Sequence, residues 1–211
     1  MRNRKKPWAG RELAENPMLA REPEKGFVRR RFGNDNPVYL EIGCGKGRFI
    51  TKKAAAAPEA NFIGLEKERI IIASALREAS GAGGPRNLCF ILGEAEALGG
   101  MFGEGEISRI YLNFSDPWRE RKKWEKRRLT HMNFLEIYKR ILARDGEIFF
   151  KTDNRRLFDF SVEQLEKAGF RLAGATYDLH GGGVAEDALL TEYEERFVGL
   201  GVPICALSAK L

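Results

Sequence analysis

The sequence predicts one α/β domain: a mostly parallel sheet, doubly wound, with helices on both faces. Three observations predict it. Short apolar runs rich in β-formers alternate with amphipathic stretches of helical spacing, as consecutive βαβ units require. The first of these runs passes straight into a glycine-rich turn and a helix. The chain has 211 residues, 43 % of them apolar. At that length folding buries roughly 70 % of the unfolded chain's surface, so no disulfide or metal staple is required.

Taken in order, residues 1–36 lack periodicity, carry Pro7, Pro17 and Pro23, and end in the turn-rich Gly33-Asn34-Asp35-Asn36-Pro37. They read as a basic arm, of a composition that allows flexibility, before a domain at 37–211. Five strands follow: Val38 to Ile42, Asn61 to Leu65, Leu88 to Leu92, Ile107 to Leu112 and Glu147 to Phe150. Helical stretches lie at 48–57, 68–82, 130–142 and 154–168, the third opened by Thr130 as N-cap and the last stopped by Gly169. Phe170 to Tyr177 and Val202 to Lys210 read as two further strands, with a Gly181-Gly182-Gly183 loop and a short helix at 191–200 between them. No internal repeat is present.

Composition excludes several classes. Charged residues make up 31 % of the chain, and no apolar run approaches the roughly 18 residues that cross a bilayer. The first residues lead into polar sequence, not an apolar signal segment, so a cytoplasmic protein with no membrane association is expected. Cys44, Cys89 and Cys205 are odd in number and far apart, and only His131 and His180 accompany them, so neither a disulfide framework nor a metal site is expected. The net charge of +6 is unevenly placed. Met1 to Arg31 holds ten basic and four acidic residues, Arg119 to Arg128 seven and two, and Leu157 to Leu211 four and nine. Two concentrated basic segments fit a polyanion, because neutralising phosphates releases counterions. Trp8, Trp118 and Trp124 among them favour RNA, whose unpaired bases stack on aromatic rings.

The turn after the first strand, Gly43-Cys44-Gly45-Lys46-Gly47, sits where a doubly wound sheet opens its ligand crevice. A dinucleotide fingerprint needs a third glycine at position 48, which is Arg48. Glu41 precedes the loop. A carboxylate there repels a pyrophosphate but suits a cationic ligand such as the ammonium or sulfonium of S-adenosylmethionine (SAM). Glu66 closes the second strand, where a carboxylate accepts hydrogen bonds from ribose hydroxyls. Glu94 follows the third, within reach of an adenine amino group. After the fourth, Asp116-Pro117 forms a stiff ledge on the same crevice.

Leu40-Glu41-Ile42-Gly43-Cys44-Gly45-Lys46-Gly47, Gly64-Leu65-Glu66, Tyr111-Leu112-Asn113-Phe114-Ser115-Asp116-Pro117-Trp118, Lys126-Arg127-Arg128-Leu129-Thr130, Phe149-Phe150-Lys151-Thr152-Asp153-Asn154 and Thr191-Glu192-Tyr193-Glu194 stand in this order. Together they resemble the bacterial tRNA (guanine-N7)-methyltransferases over nearly the whole chain. The resemblance implies a Rossmann-like class I SAM-dependent methyltransferase fold, with strand order 3-2-1-4-5-7-6 and only strand seven antiparallel. It implies methyl transfer from SAM to N7 of guanosine 46 in the tRNA variable loop, with S-adenosylhomocysteine as product. By position, Glu41, Glu66, Glu94 and Asp116 match the family's SAM-site residues, beside the loop glycines Gly43 and Gly45, and Asp116 matches its catalytic residue. Asp153 and Thr191, Glu192, Tyr193 and Glu194 match its guanosine-binding positions. The chain departs from the family where Arg119-Glu120 follow the tryptophan and the basic run is one residue longer, leaving Arg121 and Lys122 as candidates for the substrate-binding lysine. Glu94 stands where Asp or Asn is commoner.

Other readings remain at this point. Thr191-x-x-Glu194 is also a capping box, and Asp153 is placed to cap the helix after it. The ledge loosely echoes the D-P-P-W motif of enzymes that methylate exocyclic amines, though without the second proline. A catalytically silent RNA-binding relative is the remaining alternative. Both monomer and homodimer are compatible with the sequence.

Overall fold

Strands that lie in the middle of a parallel sheet are covered on both faces, so their sequences read as continuous apolar runs. Phe62 and Ile63, adjacent in one run, are both fully buried, as are Phe90 and Ile91 in the next. The computed structural model describes residues 7–118, 122–181 and 191–211, and among them finds eight strands and nine α-helices. In chain order these are α1 (Pro7–Glu15), β1 (Leu19–Ala20), α2 (Phe27–Phe32), β2 (Val38–Ile42), α3 (Arg48–Ala56), β3 (Asn61–Glu66), α4 (Arg69–Gly81), β4 (Leu88–Leu92), α5 (Leu98–Met101), β5 (Ile107–Asn113), α6 (Lys122–Glu125), α7 (Met132–Ile141), β6 (Leu142–Thr152), α8 (Arg155–Lys167), β7 (Arg171–Thr176), α9 (Glu192–Gly199) and β8 (Cys205–Lys210).

The strands form one sheet in the order β1-β4-β3-β2-β5-β6-β8-β7. Among them only β8 runs antiparallel to its neighbours, β6 and β7. Counting from β2, this is the order 3-2-1-4-5-7-6 with the seventh strand reversed, as the resemblance implies. The addition is β1, a two-residue strand on the outer edge of β4. Winding reverses between β2 and β5, whose pairing is parallel. Their carboxyl ends therefore open the crevice at a topological switch point.

Each face of the sheet carries its own apolar cluster. On one, Leu40, Ile63 and Ile110 pack with Phe27 and Val28 of α2, Leu98 of α5, Leu135 and Tyr138 of α7, and Phe158 and Leu165 of α8. On the other, Phe62 and Phe90 pack with Ala9 and Leu13 of α1, Ile50 of α3, and Ile72 and Leu76 of α4. Burying one such Leu, Ile or Phe side chain contributes roughly 1.5–3 kcal/mol. No described helix is long and apolar enough to cross a membrane.

Four local differences from the sequence reading have physical causes. Residues 7–32, read as an arm, contain α1, β1 and α2, which dock through Ala9, Leu13, Met18, Phe27 and Val28. The cap of α7 is His131, whose Nδ1 accepts the Asn133 N–H at 3.2 Å, not Thr130. Thr130 is buried, and its hydroxyl is shared with Ser161 at 2.7 Å. Asn154, not Asp153, caps α8 by accepting the Leu157 N–H at 2.8 Å. Finally, β6 begins at Leu142, directly after α7, because that residue already pairs with Ile107.

Candidate functional site

The glycine loop owes its shape to positive φ at Gly43 (76°), Gly45 (56°) and Gly47 (72°), conformations that L side chains rarely adopt. At Gly47 space is also short: a Cβ there would lie 2.8 Å from the Phe90 ring. The loop is pinned to β3, where the Leu65 carbonyl accepts the N–H groups of Gly43 at 2.8 Å and Cys44 at 3.0 Å. Glu66 completes the attachment with its side chain. One carboxylate oxygen accepts the Gly45 N–H at 3.1 Å and the other the Glu68 N–H at 2.9 Å. The half-buried carboxylate thus braces the loop while facing the cavity.

Glu41, two residues before the loop, is 3 % exposed. Asn113 donates to its Oε1 at 2.9 Å, linking the ends of β2 and β5. Its Oε2 is buried and left without a hydrogen bond of normal geometry. Burial pushes the carboxyl up to about 8, with Asn113 and the Ile50 backbone amide pulling the other way and the nearby Glu66 charge adding a smaller rise. An opposite charge brought against such a carboxyl would favour its charged form.

A cavity of about 710 Å³ opens beyond the carboxyl ends of the strands. Gly43, Glu66, Glu94, Asp116, Asp153 and Tyr193 all line it. That size falls in the range of small-molecule and cofactor pockets. A neighbouring hollow of about 390 Å³ holds Glu41, Lys46, Asn113 and Thr191 and shares Gly43, Phe114 and Tyr193 with the larger space. Four strand-end carboxylates therefore meet in one cavity, with the buried fifth, Glu41, just behind the glycine loop. Gly45 acts through Glu66. Glu194 lines neither space. Arg121 lies outside the described residues, as do the side chains of Lys122 and Glu192 and the stretches 1–6 and 182–190.

The ledge after β5 is bent by its own backbone. Phe114 and Trp118, both at φ 50°, are the described non-glycine residues with positive φ, and they bracket Ser115-Asp116-Pro117. Such conformations cost on the order of 1–3 kcal/mol each and persist only where the surroundings hold them. Here the Phe114 N–H is held by the Lys151 carbonyl at 2.9 Å. The Pro117 carbonyl is held by Nε of Arg128 at 2.9 Å. Arg128 is buried and lies over the Phe160 ring, so this member of the basic run braces the ledge. Asp116 is left exposed to the cavity. Neither the positive φ values nor the Arg128 brace is visible in the sequence, though an Asp-Pro pair ahead of a basic run marks the place.

Trp118 and Trp124 stack on each other, centroids 5.6 Å apart and 7° from parallel. The Arg127 guanidinium lies over both rings, at 4.9 and 4.6 Å from their centroids. Lys67 approaches Trp118 and Lys123 approaches Trp124. Lys67, Trp118 and Arg127 line the cavity, so its rim is aromatic and cationic while its floor is acidic.

On the other rim, α9 opens with the capping box that its sequence spells. Thr191 Oγ1 accepts the Glu194 N–H at 3.0 Å and Glu194 Oε2 accepts the Thr191 N–H at 3.2 Å. Tyr193 packs on Phe114, with ring centroids 4.9 Å apart, and is 44 % exposed towards the cavity side.

Known proteins resemble this chain in sequence and in fold. A family model described as "Putative methyltransferase" matches residues 35–207. A tRNA (guanine-N(7)-)-methyltransferase of Lachnoclostridium phytofermentans is 44% identical over 211 residues, covering 99% of this chain and 98% of the relative. One from Listeria monocytogenes is 47% identical over 213 residues, covering 100% and 98%. Among solved structures, a SAM-dependent methyltransferase from Aquifex aeolicus superposes with a TM-score of 0.58 at 12% identity, covering 87% of each chain, which establishes the shared fold. With near-complete coverage at such identities, the chain belongs to the tRNA (guanine-N(7)-)-methyltransferase family.

Proposed function

We propose that this protein transfers a methyl group from SAM to N7 of a guanosine in tRNA, at position 46 of the variable loop, in the cytoplasm. The activity itself follows from the family. The observation that carries its assignment to these residues is the meeting of Glu66, Glu94, Asp116 and Asp153 in one cavity with the unpaired oxygen of Glu41 behind it.

SAM supplies an electrophilic methyl on a sulfonium, and the donor set fits such a cation: carboxylates in place of phosphate-binding groups. Glu41 is suited to the ammonium of its amino-acid end, whose positive charge would favour the ionised carboxylate. Glu66 is suited to the ribose hydroxyls and Glu94 to the adenine amino group. The glycine loop, lacking side chains at three of five positions, lets the backbone approach closely.

Guanine N7 carries a free lone pair at neutral pH, so no general base has to remove a proton. Rate must come from positioning and electrostatics. Asp116 and Asp153, which line the cavity, are suited to accept hydrogen bonds from guanine N1–H and the 2-amino group, and their charge favours the cationic 7-methylguanosine product. Thr191 and Tyr193 complete the guanosine side, while Arg121 and Lys122 remain candidates for a direct substrate contact. Because N7 is engaged in the folded core of tRNA, the nucleotide has to be splayed out. Unstacking a base costs a few kcal/mol, offset by phosphate contacts from the basic rim.

The test uses unmodified tRNA transcripts and methyl-labelled SAM, with the label located by nucleoside analysis. Label in 7-methylguanosine that disappears from a transcript with G46 replaced supports the reading. Label in another base, or at another position, contradicts it.

A further inference from the structure

Glu194, which by position matches a guanosine-binding residue, is the most buried charge beside the cavity. Glu194 is fully buried and lines no part of the cavity, yet its carboxylate gathers donors from three places. Lys151 Nζ lies 3.2 and 3.4 Å from its two oxygens, His180 Nε2 lies 3.3 Å away, and the Thr191 N–H lies 3.2 Å away. Lys151 is the next-to-last residue of β6, and its side chain is 12% exposed. Its carbonyl accepts the Phe114 N–H at 2.9 Å. Phe114 in turn meets the ring of Tyr193, the residue before Glu194, at 4.9 Å.

These contacts close a ring. The Lys151 backbone holds one end of the ledge that carries Asp116, and the Lys151 ammonium holds the helix that carries Tyr193. The two aromatic side chains so held touch each other, and both line the cavity and the hollow beside it. α9 has eight residues, too short to hold a position by helix propensity alone. A buried carboxylate at its first turn is stable only when paired, and the directionality of that pair fixes where the turn sits. We infer that Lys151 is a positioning residue for the nucleotide substrate: through Glu194 it sets Tyr193 against Phe114 at the cavity mouth, in register with Asp116. The word substrate here rests on the methyl-transfer reading. Glu194 then serves the site from inside, without touching the base.

The test compares full-length wild-type protein with Lys151→Met, Lys151→Arg and Tyr193→Ala. Two readouts are taken: amide hydrogen exchange along α9, and steady-state kinetics with tRNA beside SAM affinity. Lys151→Met should speed exchange of the Glu194 and Glu195 amides about tenfold or more while α8 stays protected. It should raise KM for tRNA about tenfold, with SAM affinity within about twofold of wild type. Lys151→Arg should recover most of both losses, and Tyr193→Ala should reproduce the KM change without the exchange change. Unchanged α9 exchange in Lys151→Met overturns the inference, and so does faster exchange with wild-type kinetics. If Lys151→Met fails to fold, a wild-type KM in Tyr193→Ala overturns it. Wild-type protein that transfers no methyl to tRNA counts against the methyl-transfer reading, and the exchange result then decides the anchor by itself.

Discussion

At the scale of single residues, Glu41 shows how position and burial divide the work. Its place before a glycine loop is plain in the sequence, but that its Oε2 is buried without a bond, and its carboxyl pushed up to about 8, comes only from the packed structure. The sign of the linkage follows. Between the ordinary glutamate value of 4.5 and about 8 the folded protein keeps a proton that the unfolded chain has released, so stability falls as pH rises through this window. Glu41→Gln removes that loss. Denaturant unfolding of the SAM-free protein at pH 5 and pH 8 should show the variant gaining on wild type at the higher pH, by an amount on the order of a few kcal/mol. Parallel behaviour at the two pH values would show that Glu41 is not held protonated.

At the scale of elements, the ledge between β5 and α6 depends on braces that lie outside it. Arg128→Met should destabilise the fold by about 1–3 kcal/mol, since the Pro117 carbonyl loses its charged donor. It should also lower turnover, because Asp116 rides on that segment; thermal melts and single-turnover rates report the two effects separately. Such braces are what the sequence hides. The strands from β2 to β5 announce themselves because burial on both faces makes their apolar runs continuous. Helices α3, α4 and α8 announce themselves by period and by their boundaries. The elements α1, β1 and α2 do not, because the two residues α1 buries (Ala9 and Leu13) and the two residues of β1 make too short a pattern, and their stability comes from docking. The cap of α7 is ambiguous between two adjacent residues with hydrogen-bonding side chains, and only the Thr130–Ser161 pairing decides it. The acidic side chains of the site are legible because each stands at, or just beyond, the carboxyl end of a strand. The role of Glu194 is not, because a capping box and a binding motif have the same spelling.

At the scale of the whole molecule, charge is sorted by location: carboxylates on the cavity floor, cations and stacked indoles on the rim. A cationic cosubstrate and a polyanionic RNA can then use adjoining surfaces without competing. Arg127 lines the cavity, and Lys123 lies over the Trp124 ring beside it. Replacing both by Ala should weaken tRNA binding nearly uniformly across tRNA sequences and reduce its salt slope by about one for each phosphate no longer neutralised, leaving SAM affinity unchanged. Filter binding over a range of salt concentrations measures this. An unaltered slope would place the RNA elsewhere.

The claim that ties these scales together is that a strained, braced ledge presents Asp116 to a base that needs orientation and charge, not deprotonation. The most direct measurement is the single-turnover rate of methyl transfer by Asp116→Asn at saturating SAM and tRNA, with SAM affinity measured on the same protein. The predicted result is a loss on the order of 10² to 10³ in rate with SAM bound nearly as tightly as by wild type. A wild-type rate under those conditions would contradict it.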